Sequence, residues 1–344
     1  MILENKEPEL IREIKSNRNI NDKTNDHTFY GHGKLLLTGE YFVLDGAQSL
    51  ALPTTVGQSL NVKYSPSFSP KLYWKSFDVA GNLWFETVFE FWRFEITSVN
   101  PTPKELVLQK ILRQARKQNP HFLRDDIDVH VETHLGFPLE WGLGSSSTLV
   151  HNMAQWAYVS PFELQFETYG GSGYDVACAQ SEGPIFYSRN TNGPKWSPTI
   201  FEPKYSENLY FVYRGQKQDS RKAIEYYNSL RPIDPGIILS ISDITNEISK
   251  AKSLKEFEFL IGAHENIISK TLDLKPVKDE LFSNYWGEVK SLGAWGGDFV
   301  LVTSDRPKEE TRKYFLDKGL EVFIPYDEII LNTSKQDQKN EFLH

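Results

Sequence analysis

Pro138-Leu-Glu-Trp-Gly142-Leu-Gly144-Ser-Ser-Ser147 stands between an alternating run, Ile127 to Leu135, and a segment that can be helical, Thr148 to Tyr158. Glycines at 142 and 144 let backbone N–H groups turn inward with no Cβ in the way, and three hydroxyls follow at once. A helix starting there aims its unpaired first-turn donors and positive dipole end into the loop. Strand, glycine turn and helix N-terminus together make a cradle for an anion such as a phosphate. A plainer reading is open too, in which Ser146 or Ser147 simply caps the helix. The stretch is not a P-loop, because no Gly-Lys-Ser/Thr closes it. Nor is it a dinucleotide fingerprint, because Gly-x-Gly-x-x-Gly is missing.

The 344 residues suffice for two domains or one large one. A net charge of −8 argues against a general nucleic-acid partner, so anions must be handled by local donors and a few cations. The single cysteine, Cys178, excludes an intramolecular disulfide and fits a reducing cytoplasm. It sits in the apolar run Val176-Ala-Cys-Ala179 and reads as a small buried hydrophobe. No apolar stretch is long enough to span a membrane, and residues 1–26 lack the apolar centre of a signal peptide.

A short helix is expected from Glu7 to Lys15, then a polar linker to His27, with the ordered body starting at Thr28. Leu35–Thr38 and Leu60–Val62 read as strands. Lys71 to Ile96 is aromatic and alternating, with a hairpin turn at Ala80-Gly-Asn82 and Trp74, Trp84 and Trp92 as cross-strand packing rather than a ligand cage. Thr102-Pro-Lys-Glu105 combines a capping box with proline at the first helical position, opening a helix to about Lys117. Alternation from Asp126 to His134 puts Asp128, His130, Glu132 and His134 on one strand face. Residues in such a straight row do not converge on a metal ion, so this face reads as solvated.

Ile185–Ser188 and Leu209–Tyr213 are expected as a strand pair around a loop, Asn190 to Pro203. Helices are expected over Ser220–Leu230, Pro235–Ser249, Lys255–Leu272, Val277–Ser291 and Lys308–Lys318, and late strands over Phe299–Thr303 and Glu321–Ile324. Strands and helices mix without regular βαβ repetition, which indicates an α+β class.

Three further stretches carry chemistry. Gly31-His-Gly-Lys34 leads into a strand and Gly39-Glu-Tyr-Phe-Val-Leu-Asp-Gly46; alone, Lys34 would be a surface lysine. Gly170-Gly-Ser-Gly-Tyr-Asp-Val-Ala177 places Asp175 after a glycine turn, where it could merely cap a helix. Gly293-Ala-Trp-Gly-Gly-Asp298 permits close approach of backbone to a ligand just before a strand.

In this order the stretches resemble the motifs of the galactokinase, homoserine kinase, mevalonate kinase and phosphomevalonate kinase (GHMP) family. Its first motif, similar to Pro-Gly-Lys-x-x-Leu-x-Gly-Glu, is met by Gly33-Lys34 and Gly39-Glu40, with His32 where proline is usual. Its second, Pro-x-x-x-Gly-Leu-Gly-Ser-Ser, is matched in full by Pro138 to Ser146. Its third is a glycine-rich turn, here Gly293 to Gly297, with Trp295 in place of a glycine. Ser172 to Asp175 resembles the Ser-Gly-x-Asp of the mevalonate branch, and Ala263-His-Glu-Asn-Ile-Ile268 is similar to a helix of mevalonate kinases. The chain is short between the second motif and Asp175, where relatives carry a longer helical insert.

The resemblance implies a two-domain fold: an N-terminal domain like ribosomal protein S5 domain 2 over residues 28–195, and a ferredoxin-like α/β sandwich over 196–344, with 1–27 as an extension. It implies a cytoplasmic ATP- and Mg²⁺-dependent kinase acting on mevalonate or phosphomevalonate. A sugar kinase and a non-catalytic homologue are the alternatives. The nucleotide phosphates would lie against Pro138, Gly142, Leu143, Gly144, Ser145, Ser146 and Ser147, with Gly296 and Gly297 closing the site. Asp175 would orient or deprotonate the acceptor hydroxyl, and Lys34 would stabilise charge on the moving phosphoryl group. Ser146 and Glu167, or Glu163 instead of Glu167, would bind Mg²⁺. His32, Arg189, Lys195 and Arg214 are the candidates for holding a phosphate already on the acceptor. Trp141 would pack beside the nucleotide or cover the core. The partners would be a small-molecule acceptor and a second copy in a homodimer, with neither nucleic acid nor membrane.

Overall fold

The computed structural model describes residues 26–215, 220–293 and 297–332. The expected helix Glu7–Lys15 lies outside the described residues, as do Trp295 and Gly296. The class is α+β. Strands β1 (His27–Leu36), β2 (Ser49–Pro66), β3 (Lys71–Phe77), β4 (Leu83–Glu90), β5 (Glu95–Ile96), β6 (Ile127–Leu135), β7 (Ile185–Asn190) and β8 (Gly193–Pro198) form a mixed sheet. Its order is β5-β4-β3-β6-β2-β7-β8, with β1 on β2. β3 and β6 run parallel, and β2–β6, β2–β7, β3–β4, β4–β5 and β7–β8 are antiparallel. A second, antiparallel sheet has the order β10-β11-β9-β12, from β9 (Leu209–Tyr213), β10 (Val289–Leu292), β11 (Phe299–Thr303) and β12 (Phe323–Pro325).

The chain divides into two compact units. The first comprises residues 1–33, 56–139 and 143–180; the second comprises 34–55, 140–142 and 181–344.

In the first unit, β6 follows the alternation in its sequence. Val129 and Val131 turn inward against helices α1 (Pro103–Gln118) and α2 (Ser145–Ala157), and Leu135 is buried on the same face. Leu108, Ile111, Leu112 and Ala115 of α1 meet Val150, Met153, Ala154 and Ala157 of α2 in this core. Each large aliphatic side chain buried there contributes about 1.5–3 kcal/mol. The capping box forms: Glu105 N–H donates to Thr102 Oγ1 (3.3 Å) and Thr102 N–H to Glu105 Oε2 (2.7 Å). Glu105 Oε1 also accepts from Thr87 (2.9 Å) and Ser98 (3.0 Å), which fastens the start of α1 to β4. Two shorter helices follow, α3 (Pro161–Thr168) and α4 (Tyr174–Ala179).

The outward face of β6 carries the expected row, and it has an unexpected order. His130 stacks on Tyr73 and His134 on Phe77, with ring centroids 4.8 Å apart in both pairs. Flat stacking of rings occupies these histidines. Among the described residues no three His, Cys, Asp or Glu side chains are placed to hold a metal ion. Of the three tryptophans, Trp74 is in the core, whereas Trp92 falls in the turn after β4 and is 48% exposed, so it is not cross-strand packing.

The second unit holds α5 (Ser220–Ser229), α6 (Pro235–Ile248), α7 (Leu254–Leu272), α8 (Val277–Leu281), α9 (Lys308–Leu316) and α10 (Tyr326–Ile329). Its sheet packs Tyr210, Val212, Val300, Val302 and Phe323 against Phe282, Tyr285 and Phe315. Three expectations fail here. β8 lies inside the stretch read as a loop and pairs with β7. β9 does not pair with β7; it is central in the second sheet, between β11 and β12. The helix expected to Ser291 stops at Leu281, and Val289–Leu292 is a strand. Gly287 explains that switch, because a Cβ there would lie 1.9 Å from the Thr303 carbonyl oxygen: the chain must pass β11 at backbone contact. Among the described residues no helix is long and apolar enough to cross a membrane.

Candidate active site

In the first unit, Gly144 is the N-cap of α2, with φ +92° in the left-handed region. Ser145, Ser146 and Ser147 therefore occupy the first helical turn, and neither Ser146 nor Ser147 is the cap. The Ser147 hydroxyl turns back to donate to the Gly144 carbonyl at 2.8 Å and is buried. Thr148 Oγ1 is 2.8 Å from Gln58 Oε1 and 3.1 Å from the Ser145 carbonyl, which ties this turn to β2. Ser146 is exposed. The first-turn N–H groups have no acceptor within the helix, and the 13-residue helix adds its dipole. Leu143 is fully buried and anchors the turn, and Pro138 is half-buried just before it. An anion held by backbone donors, with one free-standing hydroxyl at its edge, fits this turn.

Asp175 lies in the first turn of α4, behind Gly173 at φ +91°. Val176, Ala177, Cys178 and Ala179 are buried and hold the short helix in place, with Asp175 half-buried. Cys178 is packed inside, as its apolar neighbours indicate. α4 packs on α2. Glu163 and Glu167 both sit on α3 with exposed side chains.

In the second unit, Lys34 projects from β1 between buried Gly33 and Leu35 and is half-buried. Trp141 is 5% exposed, edge-on to Phe299 with centroids 5.6 Å apart, so it covers the core. Gly142, φ +64°, is fixed by its neighbour as well as its backbone: a Cβ there would lie 1.7 Å from Asp298 Oδ2. The Asp298 carbonyl accepts from Arg214 N–H at 2.8 Å. Gly297 is buried. Of the basic candidates, Arg189 is on β7, Lys195 is exposed on β8, and Arg214 follows β9, where burial pulls its pKa down. His32 is half-buried on β1, in the first unit, with Tyr30 edge-on at 5.1 Å.

The second unit also contains a charged cluster that sequence reasoning missed. Lys290 is fully buried on β10; its Nζ lies 2.6 Å from Glu40 Oε1, 3.0 Å from Glu265 Oε1 and 3.0 Å from the Ser291 carbonyl. Gly39 N–H donates to His264 Nε2 at 3.0 Å, so that nitrogen is the acceptor and the ring is neutral. Burial, with Lys290 adding to it, pushes the His264 pKa down to about 4. One lysine thus serves two carboxylates. Desolvation outweighs its pull at Glu40, whose pKa rises to about 7. Burial also works against ionised Glu265, but Lys290 and His264 hold that carboxyl below its ordinary value. The Lys290 pKa is raised: burial opposes its charge, and the two carboxylates overcome it. Glu40 belongs to the first motif and His264-Glu265 to the helix Ala263–Ile268, so the cluster joins two stretches read separately in the sequence. The missed signal was a lysine in the apolar strand Val289-Lys-Ser-Leu292.

No protein-family model matches the chain, and no curated protein matches it in sequence. Solved structures do match in fold. L. major mevalonate kinase in complex with R-mevalonate superposes with a TM-score of 0.61 at 15% identity, over 85% of this chain and 92% of that one. Streptococcus pneumoniae phosphomevalonate kinase, in complex with phosphomevalonate and AMPPNP, gives 0.61 at 16% identity, over 86% and 99%. Lactococcus lactis galactokinase complexed with galactose gives 0.61 at 12% identity, over 92% and 98%. The superpositions run along nearly the whole length of these enzymes, and with its large mixed sheet and a second, smaller antiparallel sheet the chain has the two-domain fold of the GHMP kinases.

Proposed function

We propose that the protein is an ATP-dependent small-molecule kinase that phosphorylates a mevalonate-pathway acceptor, mevalonate or phosphomevalonate. The observation that carries this reading is the Gly144-capped first turn of α2, with its inward Ser147 and exposed Ser146, in a fold shared with kinases. Phosphoryl transfer asks a protein mainly for positioning and charge neutralisation. In this reading Gly142 to Ser147 supply backbone donors for the nucleotide phosphates, and Gly297 is a further nucleotide contact. Bound Mg·ATP supplies the phosphoryl group and the counter-charge, with Ser146 and Glu167 as metal ligands. Asp175 orients the acceptor hydroxyl and takes its proton as the new O–P bond forms and ADP leaves. Lys34 balances charge on the phosphoryl group in flight.

Support for the mevalonate branch comes from the Ser172–Asp175 turn and from the ligands of two of the superposing enzymes. The galactokinase superposition, over 92% of this chain, supports a sugar acceptor as the second reading. The test is ATP-dependent ADP release with mevalonate, phosphomevalonate, homoserine and galactose. Turnover with either mevalonate compound is expected. Turnover with galactose alone would favour the sugar reading, and no turnover with any acceptor would refute a kinase of this class.

A further inference from the structure

A cavity of about 390 Å³ in the first unit is lined by Trp92, Arg93, Phe94, Glu95, Arg113, Arg116 and Lys117. None of these residues belongs to the glycine motifs, and in a chain of net charge −8 the grouping of four cations around one glutamate is unusual. The local fold builds it. After β4, Phe91 and Phe94 both drop into the core, each 1% exposed, with Phe94 in the left-handed region at φ 51°. The two residues between them, Trp92 and Arg93, are thereby forced outward. Arg113 and Lys117 stand one turn apart on the exposed side of α1.

Arg116 gives the site its fixed charge. Its guanidinium lies 3.8 Å over the Phe94 ring and is held by main-chain carbonyls. Nε donates to Phe122 (3.1 Å), Nη2 to Leu123 (2.6 Å) and Phe91 (3.4 Å), and Nη1 to Trp92. These carbonyls replace a carboxylate: they satisfy the donors and leave the net charge of +1 in place. Burial, and then the neighbouring Arg124, bring its pKa down to about 10, so it stays charged while no acid offsets it. Arg113 Nε likewise donates to a carbonyl, that of Arg93, at 3.1 Å. Among the described residues, Arg93, Arg113, Arg116 and Lys117 form no salt bridge.

We propose that this cavity is a binding site for an oligophosphate group, with the exposed face of Trp92 covering an apolar or aromatic part of the same ligand. The volume lies in the range of small-molecule sites. Arg116, with four of its N–H groups given to carbonyls, contributes mainly its charge, whereas the guanidinium ends of Arg93 and Arg113 can pair with phosphate oxygens and Lys117 adds a movable point charge. A singly charged anion would leave most of these cations uncompensated, whereas a diphosphate or longer group engages several at once. The inference does not depend on the kinase reading.

The test is calorimetric titration of the full-length protein with inorganic pyrophosphate. The comparison is wild type against Arg93→Glu, Lys117→Glu and a control, Lys63→Glu, which alters net charge equally on an exposed position of β2. Arg93 and Lys117 donate no side-chain hydrogen bond described here, so these variants should fold, and the thermal melt checks it. The expected result is a binding component that each of the first two variants weakens by about tenfold or more, in line with the loss of a charge-assisted hydrogen bond, and that the control leaves intact. Pyrophosphate held at the Ser145–Ser147 turn would persist in all variants. If no component responds to Arg93→Glu or Lys117→Glu, or if Lys63→Glu weakens binding as much, the proposal is overturned.

Discussion

Replacing Lys290 by methionine separates the electrostatic role of the buried cluster from its packing. The methionine fills most of the same space, but Glu40 and Glu265 lose the ammonium group that lies 2.6 and 3.0 Å from them. Breaking a buried pair by removing one partner costs about 3–5 kcal/mol. The penalty should depend on pH with a definite sign. Glu40 is raised in the folded protein from 4.5 to about 7, so it takes up a proton on folding, and its contribution is most favourable below 4.5 and is lost as pH rises through 7. Without Lys290 both carboxyl pKa values rise, Glu40 further above its ordinary value and Glu265 from its lowered one, because the attraction that opposed desolvation is gone. The variant should lose about 3–5 kcal/mol at pH 8 and about half of that at pH 5, where protonation removes the stranded charge. Urea unfolding followed by circular dichroism at the two pH values measures this. Adding Glu40→Gln to the variant should return part of the loss at pH 8. A loss that is equal at pH 5 and pH 8, or a second substitution that restores nothing, would refute the reasoning.

Gly142→Ala should destabilise the protein by about 1–3 kcal/mol, since its Cβ meets the Asp298 carboxylate in a left-handed backbone; a thermal melt reads it, and Gly142→Ala/Asp298→Ala should recover part. Asp175→Asn should leave nucleotide affinity nearly unchanged while lowering turnover by roughly 100-fold or more; unchanged turnover would remove Asp175 from the chemistry. Ser146→Ala should weaken Mg·ATP binding by about tenfold, measured by titration with a non-hydrolysable analogue, and an unaltered affinity would count against a metal-side role. Thr102→Ala removes the α1 cap and should cost about 1 kcal/mol in urea unfolding.

Features written in local sequence were legible. The Thr102 capping box, the strand Ile127–Leu135 and the helix after Gly144 each rest on neighbours within a few positions, and all three form. Features set by distant partners were not. Nothing local announces that Val289–Leu292 must lie beside β11 with Gly287 at backbone contact, so the apolar spacing of Val277–Ser291 reads as one helix. The pairing of Leu209–Tyr213 with Phe299–Thr303 spans some ninety residues and defeats a reading that joins successive strands. The site divides in the same way. The glycine turn at 142–147 and the Asp175 turn could be found by motif, whereas Lys290 becomes meaningful only when the fold brings it to Glu40.

The second unit contains residues 34–55, although most of it is made after residue 180. During synthesis Glu40 leaves the ribosome 250 positions ahead of Lys290, and Gly39 precedes its acceptor on His264 by 225. The first motif is therefore finished late: Glu40 has no Lys290 to pair with until β10 is available. A nascent chain halted before Val289 would carry the Lys34–Glu40 sequence without the lysine that neutralises it. The order of translation and the order of assembly run opposite ways at this motif, so a change at Lys290 acts on a turn made 250 positions earlier.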